Sequence, residues 1–279
     1  MRRAAEQEKS SELTTEDPAE GGEVRQVAFI TGGSRGIGKA IAVRLAKDGF
    51  AVAVNARGAA GVEAVVGEVR DHGGRALAVA GDVTDRGFVF NAIGRTVDEF
   101  GHLDVMVANA GIVRVRSFLD LTKEDLGEVM DLNLYGAIYC MQAAAQVMIA
   151  QGHGGKIVLA NSVSGHLGVE YLTSYCASKF GLIGVAQCAA KELARFGITV
   201  NSYCPGIVPT DMWDRLDRDL GAVLGNAAGD TIKERGGAIA LGRLESPEDV
   251  AGLVSYLVSS DANYMTGQSI VIDGGLIFR

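Results

Sequence analysis

Several features that would indicate other classes of protein are missing from these 279 residues. No apolar run approaches the roughly 18 residues that a membrane-spanning helix needs, and Arg2 and Arg3 are not followed by the apolar core of a secretory signal. The four cysteines have no CxxC or zinc-like spacing, which predicts reduced cysteines in a cytoplasmic protein without a metal site. The net charge of -8 argues against nucleic-acid or anionic-membrane partners.

The chain does contain enough apolar sequence for one large domain, which we predict over residues 24–279. Hydrophobic residues make up 48% of the sequence and charged residues 22%, as is usual for globular proteins. Residues 1–23 differ, because they hold seven acidic and three basic residues and few large apolar side chains. Such a segment cannot bury enough surface to offset its ordering entropy, so we predict a disordered acidic tail.

Short apolar runs alternate with helical patterns along the predicted domain. Strands that alternate with helices imply a parallel sheet covered on both faces. The predicted fold is therefore α/β, a doubly wound Rossmann-type parallel sheet of seven strands. The predicted strands are 24–30, 51–55, 76–80, 105–108, 156–160, 199–203 and 269–272. The predicted helices are 36–48, 61–72, 89–100, 123–149, 174–196 and 247–258, and residues 209–240 are less regular.

A glycine-rich turn, Thr31–Gly38, joins the first predicted strand to the first predicted helix and has the spacing G-x-x-x-G-x-G. Glycines let a backbone approach a pyrophosphate closely, and a helix N-terminus offers free N–H groups and positive potential. A plain loop is the alternative interpretation of such a turn. The residues of this turn that we predict to bind a dinucleotide are Gly32, Ser34, Arg35, Gly36 and Ile37.

The end of the second predicted strand bears on the choice of dinucleotide. An acidic residue there would accept from the ribose hydroxyls and favour NAD, but the strand ends at Asn55-Ala56-Arg57. Arg57, together with Arg35, could instead bind a 2′-phosphate through charge-assisted hydrogen bonds. The alternative is that both arginines are solvated surface charges. We therefore predict that NADP(H) is favoured over NAD(H).

Later strands end in further candidate ligand positions, since ligands of such sheets bind at the carboxyl ends of the strands. The carboxylate of Asp82 could accept from an adenine amino group, and the small turn before Ile112 could let a flat ring approach. Both stretches could also be simple turns that end strands. The positions predicted here to bind the cofactor are Asp82, Val83, Asn109, Ala110 and Gly111.

The pair Tyr175-x-x-x-Lys179 lies at the start of an apolar segment that is typical of a buried helix. Four residues make about one helical turn, so the two side chains share a face. An ammonium beside a phenol favours the phenolate, and a tyrosine tuned in this way can transfer a proton near neutral pH. Because such pairs also occur by chance, the other motifs decide what this one means.

Together these motifs resemble the short-chain dehydrogenase/reductase family in order and spacing. The match runs over about residues 24–275, with Ala108 at the position where the family usually has a first Asn. The motifs that carry it are Thr31–Gly38, Asn109-Ala110-Gly111, Asn133, Ser162, Tyr175 with Lys179, and Pro205-Gly206. Three later stretches, Tyr203–Val208, Asp211–Trp213 and Met265–Gly275, resemble the acetoin/diacetyl reductase (butanediol dehydrogenase) branch. Members of that branch commonly have an acid after the second strand and use NAD, and Ala56-Arg57 departs from this pattern.

The resemblance implies roles for four catalytic residues. Tyr175 would donate a proton to the substrate carbonyl oxygen, to which Ser162 would also hydrogen-bond. Lys179 would lower the tyrosine pKa and bind the nicotinamide ribose, and Asn133 would hold a water that relays protons to Lys179. Ser164 is the alternative serine. The residues that would contact the nicotinamide or the phosphates are Tyr175, Lys179, Pro205, Gly206, Ile207, Val208 and Thr210.

The residues that would contact the substrate are predicted from their positions near the cofactor and catalytic motifs. Residues 209–240 would form a lid that carries Trp213, the single tryptophan, and Val163 and Tyr171 are further pocket candidates. We expect an NADPH-dependent reductase that converts a ketone to an alcohol reversibly, as a homotetramer with a small-molecule substrate. The alternatives are a 3-oxoacyl or polyketide-type ketoreductase, an NAD-dependent acetoin/butanediol dehydrogenase, and a non-catalytic NADP-binding regulator.

Overall fold

The structure, a computed structural model, describes residues 26–227 and 229–278. The acidic tail predicted for residues 1–23 lies outside these described residues. Within them, none of the helices is both long enough and apolar enough to cross a membrane.

Seven strands form one fully parallel sheet in the described part of the chain, in the order β3-β2-β1-β4-β5-β6-β7. This confirms the predicted doubly wound Rossmann-type fold, because the strand order reverses direction between β1 and β4. The strands are β1 Val27–Thr31, β2 Ala51–Ala56, β3 Ala76–Ala80, β4 Val105–Ala108, β5 Gly155–Ala160, β6 Ile198–Pro205 and β7 Ser269–Ile272.

Successive side chains of a strand point to opposite faces of the sheet, and both faces are covered by helices. On β1, Val27 and Phe29 join a buried cluster with helices α3, α5 and α6, whereas Ala28 and Ile30 join one with α1, α2 and α9. The helices are α1 Gly36–Lys47, α2 Ala59–Asp71, α3 Arg86–Phe100, α4 Lys123–Met130, α5 Ala137–Gln151, α6 Thr173–Leu193, α7 Asp211–Leu224, α8 Asp230–Gly236 and α9 Pro247–Val258.

The helix predicted over 123–149 is interrupted. A stretch of π-helix, Asp131–Gly136, separates α4 from α5. Apolar residues continue on both sides of this stretch, so hydrophobic periodicity did not mark the position of the widened turn. Stretches of π-helix are frequent at functional sites, and this one contains Asn133.

The prediction of less regular structure for 209–240 is wrong for most of that range, which contains α7 and α8. The buried carboxylate of Asp217 on α7 accepts from the N–H groups of Gly229 and Ile232, at 2.5 and 2.9 Å, and so fastens α8 to α7. Leu216 and Leu220 are buried on one face of α7. Trp213, Leu216 and Leu220 recur at helical spacing, and this is the signal in the sequence that could have indicated the helix.

Candidate active site

The glycine turn between β1 and α1 is shaped to bring its backbone close to a ligand. Gly32 and Gly36 have φ angles of +63° and +52°, a region in which other residues are strained. A β-carbon at Gly38 would clash with the carbonyl oxygen of Gly32, so the helix can pack this closely on the turn only because position 38 is a glycine. Among the described residues no side chain caps the N-terminus of α1. Its first-turn N–H groups can therefore receive a phosphate.

Asn109 connects this turn to two other strands. Its side-chain amide donates to the carbonyl oxygen of Thr31 at 2.9 Å and accepts from the hydroxyl of Tyr203 at 2.8 Å. The hydroxyl of Thr31 in turn accepts from the N–H groups of Asn109 and Ala110, at 2.9 and 3.0 Å. Tyr203 is fully buried on β6, and sequence reasoning assigned it no such part because nothing local marks a tyrosine in a buried strand.

The predicted catalytic residues Ser162, Tyr175 and Lys179 converge where β5 ends and α6 begins. The Lys179 ammonium lies 5.5 Å from the centroid of the Tyr175 ring and donates to the carbonyl oxygen of Ala160 at 2.6 Å. Ser162 is buried, and its hydroxyl accepts from the N–H of Ser164 at 3.1 Å. Ser164, the alternative serine, is buried next to it.

Asn133 reaches the same group from the π-helix. Its side-chain amide accepts from the N–H of Ile112 and donates to the carbonyl oxygen of Ile112, both at 2.8 Å, and donates to the hydroxyl of Ser178 at 3.2 Å. A β-carbon at Gly111 would lie 3.2 Å from Asn133 Oδ1 and 3.9 Å from Lys179 Nζ, which places these residues side by side. Both N–H groups of the amide are thus used by protein groups, while Oδ1 can accept one further hydrogen bond.

The pKa values of the Tyr–Lys pair differ from the sequence-based expectation. Burial raises the pKa of Tyr175 to about 12, and the hydrogen-bonding hydroxyl of Ser162 acts in the opposite direction. Burial also lowers the pKa of Lys179, to about 8. Desolvation disfavours each charged form, and it outweighs the attraction between ammonium and phenolate that was expected to lower the tyrosine pKa. The protein groups alone therefore keep the phenol neutral.

The residues that follow β6 border the candidate site on another side. Ile207 and Val208 are buried, and the N–H of Gly206 donates to the side chain of Glu245 at 2.9 Å. Thr210 Cγ2 would lie 3.2 Å from a β-carbon at Gly36, so Thr210, a few residues after β6, touches the glycine turn. Sequence reasoning missed Glu245, because nothing in its neighbourhood along the chain indicates that it is buried.

The two arginines predicted to bind a 2′-phosphate are both exposed. Arg35 Nη1 lies 2.5 Å from Asp211 Oδ2 at the start of α7, and the two side chains are 60% and 56% exposed. Arg57 has no ion pair within the described ranges. Ser34 lies against Gly61 in the first turn of α2, where a β-carbon would be 3.1 Å from Ser34 Cβ. The glycine turn thus adjoins the start of the helix that follows Arg57.

Asp82 and Val83 follow β3 at the carboxyl edge of the sheet. Asp82 Oδ1 accepts from the N–H and the hydroxyl of Thr84, both at 2.9 Å, and Val83 is buried. Ile37 packs against the buried cluster shared by α1, α2 and α9. The turn residues Ala110 and Gly111 continue from β4 at the same edge.

Two of the three predicted substrate residues meet in one apolar cluster. Tyr171, Trp213 and Tyr175 pack against the buried residues Leu172, Cys176, Leu216 and Leu220. Tyr171 has a φ of +64°, and its carbonyl oxygen accepts from the N–H of Arg116 at 2.9 Å. Strained backbone of this kind is often found at ligand sites. Val163 is buried beside Ser162 but is not part of this cluster.

This chain belongs to the short-chain dehydrogenase/reductase family, since residues 26–221 match the family model described as short chain dehydrogenase. The resemblance predicted from the motifs is therefore confirmed. The chain is an oxidoreductase of ketone and alcohol groups, and its family uses NAD(H) or NADP(H).

Individual relatives agree with this assignment. A diacetyl reductase, (S)-acetoin forming, from Staphylococcus epidermidis is 42% identical over 255 residues, which cover 91% of this chain and 99% of the relative. An L-2,3-butanediol dehydrogenase from Corynebacterium glutamicum is 40% identical over 260 residues, with 91% and 99% covered. The crystal structure of a short-chain type dehydrogenase/reductase from Mycobacterium marinum superimposes with a TM-score of 0.83 at 38% identity, and covers 91% of this chain and 96% of that one.

Proposed function

We propose that this chain is an NADPH-dependent reductase of small ketones, reversible as an alcohol dehydrogenase, with Tyr175 as its proton donor. The observation that carries the proposal is the convergence of Ser162, Tyr175 and Lys179 beside the carboxyl edge of the sheet. That edge is also where the uncapped start of α1 meets Thr210, two residues after the Pro205–Val208 segment.

The residues around this edge fit a nicotinamide dinucleotide. The uncapped first turn of α1, within the described residues, and its glycines suit a pyrophosphate. Asn109 and Ala110 would border the adenosine side of the glycine turn, while Ile207, Val208 and Lys179 would hold the nicotinamide end. The bound dinucleotide supplies the hydride.

The side chains of the site would handle the proton. A phenol whose pKa lies near 12 keeps its proton at neutral pH and can donate it as charge develops on the carbonyl oxygen. Ser162 would hold the same oxygen through its hydroxyl. The ammonium of Lys179, close to the ring, would stabilise the phenolate left after transfer.

Two features support the finer choices of cofactor and substrate. Arg57 has a side chain free of ion pairs, in the described ranges, and follows β2 where an acid would be needed to favour NAD. The names of the relatives support a vicinal diketone or hydroxyketone as the substrate class. The same names favour a second candidate, an NAD-dependent acetoin or butanediol dehydrogenase.

The proposal also includes the cellular location and the oligomeric state of the enzyme. All four cysteines are free, which supports a cytoplasmic location. We propose a homotetramer, for which light scattering should give about four times the 29.1 kDa chain mass.

The deciding experiment measures turnover of diacetyl, acetoin and a 3-oxoacyl thioester, each with NADPH and with NADH. We expect diacetyl reduction with NADPH at a kcat/KM at least about tenfold above that with NADH, the effect of one retained charge-assisted bond. Better use of NADH would establish the second candidate. Preference for the thioester would indicate a 3-oxoacyl reductase, and dinucleotide binding without any turnover would indicate a regulator.

A further inference from the structure

Glu245 is a buried acid that the proposed reaction does not use. The residue is 6% exposed and lies between the end of β6 and the start of α9. Its Oε2 atom accepts from the N–H of Gly206 at 2.9 Å, and its own backbone N–H donates to the carbonyl oxygen of Ile207 at 3.1 Å. Two hydrogen bonds therefore tie this one residue to the segment Pro205–Val208.

The other carboxyl oxygen is unusual. Glu245 Oε1 is buried and has no hydrogen-bond partner in the part of the chain that the structure describes. A buried polar atom without a partner costs free energy, and an ionised one costs more. The neutral acid is therefore the form that suits this position.

The charged groups around Glu245 act in the same direction. Asp249 on α9 and Asp273 after β7 both face it, and the nearby Arg243 is already bound by Asp249 through two hydrogen bonds of 2.6 and 2.9 Å. Burial, followed by the charges of Asp249 and Asp273, raises the pKa of Glu245 to about 8, against opposing effects of the Gly206 bond and Arg243.

The segment that Glu245 holds has little room to adjust. A β-carbon at Gly206 would lie 2.8 Å from the Cβ of Asp273, and the N–H of Gly206 also donates to the carbonyl oxygen of Ile272 at 3.1 Å. A movement of the Glu245 carboxyl group would therefore be passed on to Ile207 and Val208. These are the residues that the proposed function places against the nicotinamide.

We propose that Glu245 is a positioning residue whose neutral carboxyl group holds Gly206, and with it Ile207 and Val208, in the conformation that binds the nicotinamide end of the cofactor. This inference rests on the proposed function. Its consequence is that ionisation of Glu245 loosens the segment, because the cost of a buried charge and its repulsion from Asp249 and Asp273 outweigh the stronger bond that a carboxylate accepts from Gly206. Cofactor affinity should then fall as the pH rises through about 8, the pKa of Glu245.

The first measurement is the melting temperature against pH for the wild type and Glu245→Gln, which keeps the acceptor but cannot ionise. An acid whose folded pKa is raised contributes stability that is complete below its unfolded pKa and is lost as the pH rises through the folded pKa. The wild type should therefore match the variant near pH 5 and melt several degrees below it at pH 9. Glu248→Gln, at an exposed position of α9, is the control and should follow the wild type.

The second measurement is fluorescence titration with NADPH and with NADH at pH 7 and pH 9. Glu245→Ala should bind the preferred dinucleotide up to about tenfold more weakly at pH 7, since it removes the carboxyl acceptor and leaves the Gly206 N–H only its bond to the Ile272 carbonyl oxygen. Its kcat at saturating cofactor should change far less. Glu245→Gln should match the wild type at pH 7 and bind more tightly than it at pH 9.

The outcomes separate the two ideas. If the wild type binds a dinucleotide and Glu245→Ala binds it equally well, or if Glu245→Gln shows the same pH dependence as the wild type, the positioning role is overturned and the proposed function stands. If the wild type binds neither dinucleotide, the proposed function fails and this inference fails with it. Should Glu245→Ala not fold, the comparison of Glu245→Gln with the wild type still decides the matter.

Discussion

The proposed catalytic end of the site and its proposed adenosine end differ in how firmly the protein holds their residues. Asn133, Ser162 and Lys179 are all buried and are bonded to protein groups. Arg35 and Arg57 are exposed, and Arg35 is paired with a carboxylate of α7. Substitutions at the catalytic end should therefore have large effects, whereas those at the adenosine end should shift a preference by modest factors.

The strongest test of this contrast is Tyr175→Phe, which removes only the phenol oxygen. We expect kcat for ketone reduction to fall by about a hundredfold or more, because general-acid catalysis contributes on that order. Cofactor affinity, measured by fluorescence titration, should remain near the wild-type value. A variant that keeps more than about a tenth of wild-type kcat would show that Tyr175 is not the proton donor.

Asn133→Ala should have the next largest effect, on stability as well as on turnover. It removes the partners of the Ile112 N–H and carbonyl groups, which are partly buried, and of the buried Ser178 hydroxyl, and a lost partner costs up to about 1–3 kcal/mol where water cannot replace it. Differential scanning calorimetry should show a melting temperature lower by about 5 °C or more. Asn91→Ala, at an exposed position of α3, is the control. Equal melting temperatures for the two variants would mean that the Asn133 bonds contribute nothing.

The double variant Ala56→Asp with Arg57→Leu tests the adenosine end. The new carboxylate would accept from a ribose hydroxyl and repel a 2′-phosphate, while the leucine removes a donor. We expect the ratio of kcat/KM for NADPH to that for NADH to reverse, from at least about tenfold in favour of NADPH. Arg57→Leu alone should lower the ratio without reversing it. A wild type that prefers NADH would refute this assignment.

Asp211→Asn should have the smallest effect. It releases Arg35 from its ion pair and leaves the guanidinium free to bind a phosphate. Because exposed ion pairs contribute little, KM for NADPH should fall by only about two- to threefold at low salt and should return to the wild-type value at high salt. KM for NADH is the internal control. An equal fall in both values would show that Arg35 does not distinguish the two dinucleotides.

Local patterns predicted most of the fold. The boundaries of α1, α9, β3, β4 and β7 agree within about a residue with those expected, and Ser246 caps α9 as its hydroxyl accepts from the N–H of Asp249. Such features depend on residues a few positions apart. The same holds for the spacing of Tyr175 and Lys179 in one helix.

Other features depend on contacts between distant parts of the chain and were not predicted. The pKa values of Tyr175 and Lys179 are set by burial, which periodicity alone does not measure. The helix α7 is stabilised by packing of Leu216 and Leu220 on Leu172 and Cys176. No pattern within residues 209–240 reveals that contact.

The sequence by itself determined the succession of the seven strands along the chain, most of the helices between them, the glycine turn and the family of the protein, because each follows from apolar periodicity or from motif spacing. Only the tertiary structure decided that Arg35 meets Asp211, which lies 176 residues further along the chain, and that Glu245 is buried against Gly206. The physical reason is that burial and charge pairing are set by which surfaces the folded sheet and helices bring together.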